Sequence, residues 1–366
     1  MKILLNDINN NYDDLKSQIN CLKEEIKILK KEINNIKLLN KTNIKNISFL
    51  KDLAKDAYAY SDLDNTFNIF KSIDDILFLI YTNDNKSITS YNLINNQKLN
   101  EIKNAHDNDI CNFRHYLDNI RKRDLILSIS KNDNNLKLWD INNFNCLLDI
   151  KNLNGGGELL SSCFLNINYN IYIISSSSNY DLSEPIKIFN LAGKKIKEIN
   201  NSKEDTLFID VFYDKLLAKY FIITGNIGFV KSYDYNENKL YCKYNAKDNC
   251  SHCSIIIVKD IKITKLIESS RDGNIRIWDF HSNKLLNKIY IAGSWLIGIC
   301  LWNNENLFVS STNLILVNLK DKKIKHFYNK EIISLKKIFH PIYKECLISH
   351  GVYPNDINLW VNNNID

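Results

Sequence analysis

The sequence predicts an all-β fold, a seven-bladed β-propeller, preceded by an α-helical coiled coil. Three observations carry that reading. Apolar residues keep an unbroken three-four spacing across residues 5–36. Past residue 65 the helical period gives way to short apolar strands separated by Asn, Asp, Lys and Ser turns. Within that region one marker, an aromatic or apolar residue closing an alternating strand, recurs at steps of 48, 50, 44, 45, 39 and 43 residues. The expected boundaries are a coiled-coil helix over 1–40, a linker over 41–64 with a propeller-closing strand, and the propeller over 65–366.

The helix comes first. Leu5, Ile8, Tyr12, Leu15, Ile19, Leu22, Ile26, Leu29, Ile33 and Ile36 fall on a and d of a heptad. A strict seven-residue period winds two helices into a left-handed supercoil. In the middle heptads a is Ile19 and Ile26 and d is Leu22 and Leu29, the choice that favours a parallel dimer. Glu25 and Glu32 at g face Lys30 and Lys37 at the following e positions, which suits self-pairing. The expected partner is therefore a second copy in a parallel homodimer. A heterodimer, or one amphipathic helix packed on the rest of the chain, is the alternative.

The repeats follow. The markers are Tyr91, Trp139, Phe189, Tyr233, Trp278, Val317 and Trp360, in strands such as "LKLWDI" and "IRIWDF". An apolar strand precedes each marker, and most of these strands end in small hydroxyl residues, as in "DLILSIS" and "KLIESS". Another strand lies before that, and a fourth after the marker. Four strands per unit in the mid-forties of residues is the blade of a propeller. The last unit stops at Asp366 after its third strand. An open propeller would expose strand edges. "NIKNISFL" at 43–50 has strand character and is expected to supply the missing strand.

These units resemble the WD40-repeat family. Trp139-Asp140 and Trp278-Asp279 match its signature dipeptide. The resemblance implies a buried structural network in each blade, from a His, a Ser/Thr, an Asp and the Trp. His252, Ser270, Asp272 and Trp278 fit those places in the fifth unit. His106, Ser130, Asp133 and Trp139 fit in the second, with one extra residue in the turn. The family's Gly-His dipeptide is absent, and the other five units have lost most of the set.

Composition excludes little else. The net charge of +6 over 366 residues is a mild excess, and only 10 Gly and 3 Pro occur. Asn tolerates the left-handed backbone region and is expected to turn the chain where Gly is scarce. Nine scattered Cys fit reduced thiols in a cytoplasmic or nuclear protein. Apolar runs such as "ILFLIY" are too short to span a bilayer, so no integral membrane segment is expected. Cys250, His252 and Cys253 have metal-ligand spacing, but no second pair follows, and no metal or cofactor is expected. No nucleophile elbow, HExxH or kinase signature occurs, so the chain is read as non-enzymatic. Arg114, Arg121, Lys122 and Arg123 read first as a solvated loop, with a nucleic-acid or acidic-partner patch as the alternative.

Trp295, at the start of the sixth blade, is the candidate partner-binding residue, with Arg271 on the same face. The expected function is a scaffold that dimerises through the coiled coil and binds proteins on the propeller. The domain order is similar to the autophagy-related protein 16 family, which implies a conjugation scaffold. A G-protein β-subunit-like protein and an RNA-processing or ribosome-assembly WD40 factor are the alternatives.

Overall fold

Near-continuous apolar runs such as "LFLIY" and "LILSIS" leave two faces to bury, and the structure packs them between neighbouring four-stranded sheets, while fourth strands such as "QKLNEI" stay largely exposed. The computed structural model describes residues 47–362 apart from 56, 59–64, 133, 152, 154–157, 179–184, 200–204, 261–262, 329–330 and 353–354. The heptad residues Leu15, Ile19, Leu22, Ile26, Leu29, Ile33 and Ile36 lie outside the described residues.

Strand β1 is Ile47–Lys55. Blade 1 holds β2 (Asn68–Lys71), β3 (Leu77–Tyr81), β4 (Ile88–Asn92) and β5 (Gln97–Ile102). Blade 2 holds β6 (Ile110–Asp118), β7 (Arg123–Ser130), β8 (Asn135–Asp140) and β9 (Asn145–Ile150). Blade 3 holds β10 (Glu158–Ile167), β11 (Asn170–Ser178), β12 (Ile186–Asn190) and β13 (Lys195–Ile199). Blade 4 holds β14 (Phe208–Asp214), β15 (Lys219–Gly225), β16 (Phe229–Asp234) and β17 (Lys239–Asn245). Blade 5 holds β18 (His252–Lys259), β19 (Thr264–Ser270), β20 (Asn274–Asp279) and β21 (Leu285–Tyr290). Blade 6 holds β22 (Ile299–Asn303), β23 (Asn306–Ser310), β24 (Leu314–Asn318) and β25 (Ile324–Tyr328). Blade 7 holds β26 (Ile332–His340), β27 (Lys344–Gly351) and β28 (Asp356–Asn362).

Among the described residues these strands form seven antiparallel four-stranded sheets, and β1 is the fourth strand of blade 7. It pairs with β28 from Ile47 opposite Asn362 to Lys55 opposite Asp356. The closing strand therefore reaches Lys55 rather than residue 50. The inner strands β2, β6, β10, β14, β18, β22 and β26 each touch the next, and β26 touches β2, so the ring is closed. The fold is an all-β seven-bladed propeller.

The core sits between blades. Trp139 packs into the cluster shared by blades 1 and 2, Phe189 into that of blades 2 and 3, and Tyr233 into that of blades 3 and 4. Trp278 does the same between blades 4 and 5, and Val317 between blades 5 and 6. Each of these markers faces the preceding blade. A bulge immediately precedes the marker in the first five blades, at Tyr91, Trp139, Phe189, Tyr233 and Trp278. A bulge re-aims the side chain that follows it. The turns bear out the compositional reading: half of the described non-glycine residues with positive φ are Asn, including Asn96, Asn238 and Asn283.

Candidate functional site

The buried polar network sets the geometry from which the surface loops project. In blade 2 the Trp139 indole N–H donates to Ser128 Oγ at 2.8 Å, and His106 Nε2 lies 2.7 Å from the same oxygen. The indole meets Ser128 rather than Ser130, and Asp133 lies outside the described residues. The reason is register. Trp139 is paired with Ile126, so its indole reaches diagonally to Ser128, two residues on. Ser130 is a further two residues away, about 7 Å along the strand. Ser128 and Ser130 share a strand face, so alternation alone does not separate them.

Blade 5 repeats the diagonal with a different residue. Trp278 pairs with Leu266, and its N–H donates to Glu268 Oε1 at 3.0 Å. The other carboxylate oxygen of Glu268 bonds His252 Nδ1. On the far side of the ring Asp248 Oδ1 lies 3.4 Å from Nε2. Ser270 instead accepts the backbone N–H of Asp272 at 3.5 Å. Asp272 turns to the buried Arg276, which also bonds Asp248 at 2.5 Å. Both corrections to the expected network have the same origin, an indole that contacts its diagonal neighbour.

The exchange of Ser for Glu inverts the histidine's charge state. Burial first, and the Lys137 charge second, push His106 down to about 3, so that ring is neutral. Burial also opposes charge on His252, but Glu268 and Asp248 outweigh it and lift the ring to about 9. With a carboxylate against each nitrogen, His252 is a buried cation inside a salt-bridged cluster. Blade 7 uses the diagonal again: Trp360 pairs with Leu347 and donates to Ser349 Oγ at 2.8 Å.

Above this network lies the face formed by the turns between second and third strands and by the connections between blades. Trp295 lies in the connection from blade 5 to blade 6 and is 52% exposed. The Arg271 guanidinium carbon sits 4.3 Å from the centre of its ring, a cation–π stack. The backbone fixes both. Arg271 N–H donates to Ser251 O at 3.0 Å, and Leu296 N–H to Ser270 O at 3.4 Å. Leu296 and Ile297, next in sequence, are buried. Ser294 Oγ bonds Ser311 Oγ of blade 6 at 2.7 Å. Gly273 closes the turn with φ +77°, and a Cβ there would stand 1.7 Å from Ala292 O. The Trp therefore projects from a rigid platform, half covered by Arg271.

The basic cluster of blade 2 is not one surface. Arg114 reaches inward, donating to Ser162 O at 3.1 Å and Ile209 O at 3.2 Å, and so pins blades 2, 3 and 4. Arg121 and Arg123 are paired with Asp118 at 3.1 and 3.3 Å. A cavity of about 360 Å³ between blades 4 and 5 is lined by Asp210 and otherwise by apolar residues such as Phe212, Ile223 and Ile255. One carboxylate in an apolar lining does not make a catalytic constellation.

No family model matches the chain. It is similar to autophagy-related protein 16 of Arabidopsis thaliana. The two are 24% identical over 183 residues, which is 49% of this chain. The match spans 33% of that relative's length. Among the described residues no helix is long and apolar enough to cross a membrane.

Proposed function

We propose that this chain is a non-enzymatic interaction scaffold that presents protein partners on its propeller and pairs with a second copy through residues 1–40. The observation that carries the reading is Trp295, half-exposed, stacked under Arg271 and held by backbone hydrogen bonds on the loop face. An ordered aromatic beside a guanidinium is the composition of an interface hot spot. A pre-set rotamer lowers the entropy lost on docking. The heptad at 5–36 supports pairing, and two linked propellers raise avidity for a partner that itself has two sites. The likeness to autophagy-related protein 16 supports a scaffold of that kind, acting in the cytoplasm.

The test is affinity capture of the tagged full chain from its own cells, beside a chain lacking residues 1–40 and a Trp295→Ala chain. The expected result is two partner groups, one lost with the helix and one lost with Trp295. Identical partner sets from all three chains would sink the reading. Capture dominated by RNA and ribosomal proteins would favour the RNA-processing alternative.

A further inference from the structure

On the opposite face of the ring, the turns between first and second strands of blades 2, 3 and 4 carry exposed apolar side chains. Ile120 is 60% exposed, Tyr169 77%, Leu216 92% and Leu217 47%. The three turns are neighbours, because β6 touches β10 and β10 touches β14. Asn166 of blade 3 donates to Tyr116 OH of blade 2 at 2.6 Å close to these tips. The tip sequences are "NIRK", "NY" and "KLLA": they contain no carboxylate and add the exposed Lys122 and Lys215, beside Arg121, which is paired with Asp118 at the base of its turn. The turns of blades 1 and 6 differ, with exposed Asp74, Asp75 and Glu305.

The tips are held in place. Asp118, at the end of β6, accepts the Arg121 N–H at 3.1 Å. Asp214, at the equivalent place in β14, accepts the N–H groups of Leu216 and Leu217 at 2.8 and 3.3 Å. Both carboxyl groups are buried. Tyr169 sits at φ +66° after Asn168 at φ +48°. A two-residue hairpin turn with both φ positive favours Asn-Gly, and an aromatic there is strained. The sequence thus places an exposed aromatic where folding alone would select glycine. Strain kept at an exposed tip points to a use for the side chain.

We propose that this three-blade arc is a docking surface for an anionic lipid bilayer. Separate convex tips of aromatic and aliphatic residues, flanked by cations, match an interface of acyl chain below and negative headgroup above. Protein hot spots sit in complementary pockets, and these tips protrude without one. A second copy would set cations against cations. The arc lies on the face opposite Trp295, so a propeller docked this way leaves the proposed partner face free.

The test is co-sedimentation of the full chain with vesicles of phosphatidylcholine alone and of equimolar phosphatidylcholine and phosphatidylserine. Binding is expected on the anionic vesicles only, weakening as salt rises. Tyr169→Gly and Leu216→Ser should each lower partition roughly 10-fold, as expected for one large apolar side chain leaving the interface. Tyr169→Gly should also raise the thermal midpoint, because glycine relieves the turn, so lost binding is not lost folding. Lys122→Glu with Lys215→Glu should abolish binding, while Trp295→Ala should leave it intact. The proposal is overturned by absent sedimentation, by equal binding to neutral vesicles, or by tip variants that partition like the native chain. It is equally overturned if the tip variants lose a soluble protein partner and keep their vesicle binding.

Discussion

Replacing Glu268 by Ser gives blade 5 the polar set of blade 2 and removes the main carboxylate partner of His252. The His252 ring titrates at about 9 in the fold against 6.5 as a free side chain. Between those two values the folded chain holds a proton that the unfolded chain has released. Stability is then fully present below pH 6.5 and is lost as pH rises through about 9. At 1.36 kcal/mol per unit, the shift is worth about 3 kcal/mol. The assay is urea unfolding of the native chain and of Glu268→Ser from pH 6 to pH 10, followed by tryptophan fluorescence. Subtracting one curve from the other cancels the lysines, tyrosines and thiols common to both. The difference should shrink by up to about 3 kcal/mol as pH rises across that window. Parallel curves would refute the assignment of a buried imidazolium, whatever the absolute stabilities.

Other perturbations separate the parts of the frame. Ser128→Ala strips Trp139 and His106 of their shared partner and should cost about 1–3 kcal/mol by thermal or urea unfolding. Ser175 in blade 3 is buried with no hydrogen-bond partner for its hydroxyl among the described residues, so Ser175→Ala should raise the unfolding midpoint slightly. Gly273→Ala drives a methyl group into Ala292 O and should cost at least about 2 kcal/mol while displacing the Trp295 connection. Trp295→Ala should change stability by under about 1 kcal/mol and yet reduce partner affinity by about 2 kcal/mol, read by calorimetry with a captured partner.

The repeat was legible because propeller blades impose two periods at once, alternation within strands and a marker in the mid-forties between them. The marker could be traced through Phe189 and Val317, where the Trp-Asp dipeptide is gone, because bulk at that place is what the neighbouring blade requires. Family spacing puts the hydroxyl of the network at Ser130, one strand period beyond the one the indole meets. Ser128 and Ser130 look alike in sequence, and only the pairing of Trp139 with Ile126 tells which one the indole meets. Glu268 escapes a sequence reading because a charge is unexpected at a position that holds a hydroxyl residue in five blades and Val309 in the sixth. The signal was present in "KLIESS", where a Glu stands on the buried face two residues past the one paired with Trp278. Arg114 is near Arg121 and Arg123 in sequence, but it lies inside β6, while Arg121 sits in the following turn and Arg123 opens β7. The exposed tips at Ile120, Tyr169 and Leu216 carry no periodic signal, since a turn residue is unconstrained by either period.

The diagonal position also explains how the repeat decays without opening the ring. Reading two residues past the one paired with the marker gives Tyr81, Ser128, Ser175, Thr224, Glu268, Val309 and Ser349 in blade order. In blades 2 and 7 a Trp donor meets a Ser acceptor, and in blade 5 a Trp donor meets Glu. In blade 6 both partners are apolar, Val317 and Val309, and both are fully buried. Replacing both ends of a buried hydrogen bond with matched apolar groups is nearly neutral, whereas replacing one end costs about 1–3 kcal/mol. Blade 3 is caught between these states, with Phe189 in place of the donor and Ser175 still buried. A large apolar marker facing the preceding blade contributes about 3–5 kcal/mol as judged by truncation to Ala, against about 1 kcal/mol net for the hydrogen bond. Packing between blades therefore holds the ring, and β1 on β28 closes it, with Phe49 set edge-on against Trp360 at 5.7 Å. Donor and acceptor can drift once they drift together, and the loop residues, which neither packing nor register constrains, are where partner recognition is free to diverge.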